Sequence, residues 1–127
     1  MRVLILSDGK LEEKRIDNTL EKLQKIVGGY IEIPYLSIIF ADNFIDVIVN
    51  DEGKFIYGLH PEIAVIKGNQ VLDIVYGNCV FVSHDREGNT TELNDEQIQI
   101  IKEELKNDIV LYDRNTDKDI LIKALFV

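Results

Sequence analysis

Helical periodicity surfaces only twice in this chain, and that scarcity limits the fold more than any other feature. Ile16, Leu20, Leu23 and Val27 recur at i, i+4, i+7 and i+11, one face of a helix. Asn18 with Glu21 three residues on has the spacing of a capping box, and Gly28-Gly29 supplies a left-handed stop, which predicts a helix over about 18–27. The second run opens at Asn94, with Gln97 completing another capping box and Leu93 and Ile98 spaced as a hydrophobic staple. Ile98, Ile101 and Leu105 give its buried face, predicting a helix over about 94–106.

Between and around these runs the pattern is that of strands. Residues 2–7 form a nearly continuous apolar run with a reversal at Asp8-Gly9, and residues 10–15 supply the return strand. Tyr30 to Ser37 has strand character, interrupted by Pro34. Residues 45–49 and 54–57 flank Asn50-Asp51-Glu52-Gly53, the pattern of a hairpin. Residues 71–75, 78–83, 109–112 and 120–127 are β-branched or aromatic enough for strands. The expected fold is therefore α+β: one small domain over 1–127, with an antiparallel sheet and two main helices. The apolar end Ala124-Leu125-Phe126-Val127 predicts that the extension 107–127 docks on the core or on a neighbouring subunit.

Composition excludes several classes of function. The chain has 127 residues, one cysteine and two prolines, so neither a disulfide framework nor a linker between domains is expected. Its first apolar run is too short for a secretory core or a membrane span, which points to a cytoplasmic domain. A formal charge of −9 repels a polyphosphate backbone, so DNA and RNA polymers are poor partners. Residues 85–119 concentrate the acidity, with eleven acids against five bases. That face could instead serve an acidic protein-interaction module that inhibits a host protein, the alternative function the sequence leaves open.

Reaction chemistry is sparse. Cys79 and His84-Asp85 include the residue types of a thiol nucleophile site, but Cys79 lies inside an apolar strand, where a cysteine serves as a small hydrophobe. His60 has no neighbour in sequence that marks it as more than an exposed side chain. Asp113 to Asp119 alternates oxygen side chains as a calcium loop does, yet Lys118 stands at the glycine position and Ala124 at the bidentate glutamate position. No catalytic residue, metal or cofactor is assigned. Among the four arginines, Arg86 and Arg114 lie in loops beside strands carrying Phe81 and Tyr112, the minimum for an adenine-containing phosphate ligand.

A resemblance narrows this. Residues 16–20, then Val27-Gly28-Gly29-Tyr30-Ile31-Glu32, resemble a family of small phage and prophage domains with a helix-to-strand VGGYIE signature. Residues 47–54, 74–77, 81–88 and 93–98 agree with it, so the likeness spans about 1–106. Within that neighbourhood the chain is similar to the phage anti-Thoeris signal sponges. The resemblance implies a protein without enzymatic activity that sequesters a cyclic ADP-ribose isomer, and cyclic oligonucleotides at separate sites, in the bacterial host cytoplasm. It also implies a homo-oligomer, dimeric or larger. Carried over by position, the ligand-binding residues are Val27 and Gly28 at the end of the first helix, Phe81 as the stacking aromatic, and Arg114 with Asp113, joined by Asn89 and Thr90. The C-terminal loop offers one arginine where the family uses a pair.

Overall fold

A computed structural model describes residues 1–56, 58–114 and 116–127, with Tyr35 through its backbone alone. The chain opens as a hairpin of β1 (Arg2–Ser7) and β2 (Lys10–Arg15), paired from Arg2↔Arg15 to Ser7↔Lys10. Asp8 (φ 50°) and Gly9 (φ 79°) both take the left-handed conformation a two-residue turn needs. Helix α1 (Leu20–Val27) follows and ends on Gly28 at φ 82°. Its cap is Thr19, whose Oγ1 accepts from the Lys22 amide at 3.1 Å, instead of the expected Asn18. Asn18 donates its side-chain amide to the Thr90 carbonyl at 2.9 Å, which removes it from the capping position.

The strand expected over Tyr30–Ser37 shrinks to β3 (Ile31–Glu32). Pro34, at φ −72°, opens 3-10 turns over Tyr35–Asn43, a third helical element that the sequence did not suggest. The turns bury Leu36 and Phe40, and they end at Phe44 in the left-handed region. Next comes β4 (Ile45–Asn50), but the expected hairpin with 54–57 does not form. Asn50 Oδ1 accepts from the Glu52 amide at 2.8 Å, and a 3-10 turn over Gly53–Phe55 turns the chain away. The last residue of that expected strand, Tyr57, lies outside the described residues.

The remaining elements are β5 (Pro61–Lys67), β6 (Gln70–Tyr76), β7 (Cys79–His84), β8 (Thr90–Thr91), α2 (Asp95–Glu104), β9 (Asp108–Asp113) and β10 (Lys118–Phe126). The capping box of α2 is present in full: the Gln97 amide donates to Asn94 Oδ1 at 2.8 Å, and the Asn94 amide to Gln97 Oε1 at 3.0 Å. One sheet has the order β2-β1-β7-β4-β3 with β8 added to β7, all antiparallel. The other has the order β6-β5-β10-β9, in which β10 runs parallel to β5. The fold is α+β; β10 fills the interior of the second sheet, with Ala124 and Leu125 completely buried.

Period-two alternation builds three layers. Val80 and Val82 of β7 join Leu23 and Val27 in one cluster, with α1 on that face of the first sheet. Cys79 and Phe81 point the other way, into the main core with Ile63, Val65 and Leu125 of the second sheet and Ile98 and Ile101 of α2. The far face of the second sheet is closed differently. Ala64, Ile66, Ile122 and Ala124 are buried there among Ile109, Leu111 and Ile120, and every member of that cluster comes from the sheet itself.

Candidate functional site

A groove across the second sheet gathers residues from both of its edges. Strands β6 and β9 are its opposite edges, with β5 and β10 between them. Yet Ile74 and Tyr76 of β6 and Leu111 and Tyr112 of β9 line one groove of about 340 Å³, with Pro61 and Arg114. Its volume lies at the lower end of the range for small-molecule sites. Tyr76 also lines a second groove of about 270 Å³, with Asn50, Gly53, Lys54, Phe55 and Asp73. A tyrosine thus stands between two depressions, each with an aromatic and a cation on its wall.

The cations differ in what already holds them. Lys54 Nζ sits 2.5 Å from Asp73 Oδ1. Arg2 is tied to Glu13 at 2.9 Å and to Asp95 at 2.6 Å, and Arg15 lies 3.7 Å from Glu92. Arg114 makes no ion pair among the described residues and is exposed. Beside it, Tyr112 donates its hydroxyl to the Asp117 carboxylate, a bond that raises the phenol above its ordinary range. Asp113 Oδ2 accepts from the Thr116 hydroxyl at 3.1 Å.

The residues expected to share one pocket separate into four places, Phe81 in the main core being one of them. Asp113 and Arg114 line the β6–β9 groove. Val27 and Gly28 lie at the end of α1, where the Val27 carbonyl accepts from Asn50 Nδ2 at 3.1 Å, so they reach the rim of the second groove through Asn50. Asn89 and Thr90 belong at the other end of α1, since Thr90 is held by Asn18 just before the helix. Eight residues of helix put those two ends about 12 Å apart. Asn89 serves its own turn: its backbone amide donates to Asp85 Oδ1 at 2.8 Å, the main cause of that carboxyl's lowered pKa.

Phe81 does not fit the stacking role. It is 0% exposed and meets Phe40 edge-on with ring centroids 5.9 Å apart, so both its faces are committed to the space between the sheets. Alternation along β7 explains this, because Phe81 shares the inward face with Cys79. Accessible aromatics lie elsewhere: Phe55 is 87% exposed and Tyr112 54%. Cys79 is equally committed. Burial, with a smaller contribution from the Glu62 charge, pushes its thiol far above the range of a nucleophile. His84 bonds through Nδ1 to Asp46 Oδ2 at 3.1 Å, on the neighbouring strand β4. The calcium-like segment contains Asn115, which lies outside the described residues, and no group of three metal-ligating side chains occurs among those described.

One polar cluster escaped the sequence reading. Glu62 is fully buried, and His60, expected to be simply exposed, places Nδ1 3.1 Å from its Oε1. The spacing His60-Pro61-Glu62 is the available signal, since residues i and i+2 share a strand face. The Gly9 amide donates to the same carboxylate at 2.8 Å.

Two sheets stacked around one core, with α1 outside the first and a groove across the second, define a small α+β domain. Residues 1–106 match the family model described as "Domain of unknown function (DUF3846)", and the chain belongs to that family. The match covers β1 to α2 and stops before β9 and β10, so Arg114 and its groove wall lie beyond it. No curated protein and no solved structure matches the chain. No helix among the described residues is long and apolar enough to cross a membrane.

Proposed function

We propose that this protein is a binding protein that sequesters a cyclic ADP-ribose-type signal without cleaving it, as the resemblance to the anti-Thoeris signal sponges implies. One observation carries the reading: Arg114, with no ion pair among the described residues, shares a groove with Tyr76 and Tyr112. A guanidinium suits a phosphate bidentately, and tyrosine rings offer a stacking surface to adenine. Tyr76 and the neighbouring groove with Lys54 and Phe55 extend that surface toward the end of α1. The stacking aromatic is then a tyrosine of the second sheet, in place of Phe81. In this reading the protein acts in the bacterial host cytoplasm as a homo-oligomer, and the net charge of −9 turns away DNA and RNA polymers while a small ligand answers to the nearby arginine.

The test is to incubate the protein with cyclic ADP-ribose isomers, measure the rise in melting temperature, then denature it and analyse the released ligand. Intact ligand is the expected outcome, and hydrolysed product would mark an enzyme. Arg114→Ala and Tyr76→Ala should each weaken binding by about 1–3 kcal/mol. Unchanged affinity in both would remove the groove from the site. A protein partner captured in place of any nucleotide would favour the acidic interaction module.

A further inference from the structure

Among the described residues, Glu62 is the one charged side chain that is fully buried. Its carboxylate bridges from the second sheet to the β1–β2 turn of the first. A register shift between Pro61 and Ile63 marks an irregularity at this residue, a device that re-aims a side chain. Here the side chain reaches from β5 of the second sheet to the β1–β2 turn of the first, where Gly9 donates to Oε1 at 2.8 Å and approaches Oε2 at 3.4 Å. His60 closes the other side at 3.1 Å and is one-third exposed at 33%, so a proton can reach the pair from solvent.

We propose that Glu62, flanked by His60, forms an acid-tightened latch between the two sheets: a proton held by its carboxyl secures the seam at Gly9, and its loss loosens the seam. The geometry sets the sign. A charged carboxylate at this place keeps a negative charge in a buried position, which is costly. A proton on the Glu62 carboxyl removes that charge and leaves an oxygen acceptor for the Gly9 amide. The other charged group facing the site, Asp8, is also an acid and adds to the penalty, while the Cys79 thiol beside it stays neutral. Burial accordingly raises the Glu62 carboxyl above its ordinary range, against the opposing pull of the Gly9 amide and His60. Opening the seam hydrates the carboxylate and restores its ordinary affinity for a proton. Deprotonation therefore favours the open state, and the closed seam is fully stabilised below the ordinary carboxylate range and weakened as pH rises through the elevated value.

The latch also sits behind the groove. Pro61, between its two members, lines the β6–β9 groove, and the His60 carbonyl accepts from the Gly77 amide at 2.9 Å, next to Tyr76. Loosening the seam frees that wall whatever the groove binds.

Hydrogen exchange at the Gly9 amide, followed from about pH 5 to about pH 8 and corrected for intrinsic base catalysis, reads the seam directly. Its protection should fall with rising pH, by up to about tenfold for each unit by which the closed seam raises the Glu62 pKa. Glu62→Gln keeps an acceptor for Gly9 and a donor for His60 but cannot titrate, so its protection should stay level. Level protection in the unaltered protein, or the same fall in Glu62→Gln, overturns the proposal. Should the variant fail to fold, carbon NMR of the Glu62 carboxyl in the unaltered protein decides: a midpoint within the ordinary carboxylate range overturns the latch, and an elevated one supports it.

Discussion

The two sheets bury similar residues by different means. The first is antiparallel throughout and is covered from outside, by α1 on one face and by the main core on the other. The second has the core on one face only and closes the other by curving on itself, with Ala64 and Ala124 paired at its centre and fully buried. Small side chains at the middle of that face leave room for the curve. The lesson is that cover and curvature leave different surfaces behind. A helix laid on a sheet fills its face, whereas a sheet folded toward its own edges brings strands that never pair into reach of one another. That is where the groove of Tyr76, Tyr112 and Arg114 forms.

This contrast can be broken at graded cost. Phe81→Ala removes the ring between the sheets and should destabilise by about 3–5 kcal/mol in denaturant titration. Were Phe81 a ligand platform, stability would hardly change and binding would be lost. Ala64→Leu overfills the curved face and should cost about 1–3 kcal/mol. If that face were open to solvent, the change would be close to neutral. Thr19→Ala removes the cap of α1, the cover of the first sheet, for about 1 kcal/mol by thermal unfolding, whereas Asn18→Ala at the expected cap leaves the helix end satisfied. Leu121→Ala, on the part of β10 that extends beyond the core and 58% exposed, should fall within about 0.5 kcal/mol.

Legibility in the sequence follows the same division. Features set by local chemistry were readable: the capping box at Asn94, the Asp8-Gly9 reversal and the apolar strands that became β1 and β7. Features set by distant partners were not. Asn18 lost its capping role to a carbonyl more than seventy residues away. Nothing local announced that 45–50 would pair with β7 and β3 instead of its neighbour in sequence. The run 61–67 hides its strand because Pro61 and Glu62 interrupt its apolar pattern, although both are buried. At the candidate site, Arg114 and Tyr112 could be paired from their spacing, but the third wall, Tyr76, comes from the opposite edge of a curved sheet. Both faces of β7 are interior, so alternation places Phe81 inside the molecule whichever way it points, and only the covering layers show this.

The parallel pairing of β10 with β5 sets an order of events. Ile63 has Lys123 as its partner, so the middle of the second sheet joins segments about sixty residues apart. Contacts that distant are slow to form, and the loop between them must close first. On a ribosome, the β1–β2 hairpin and its union with β7 and β4 are available well before residues 118–126 emerge. Until then β5 has only β6 beside it, and the apolar face around Ala64 stays uncovered. Strand β10, made after β1 to β9, therefore completes the second sheet, and a chain stalled before it would hold a finished first sheet beside an unfinished, adhesive second one.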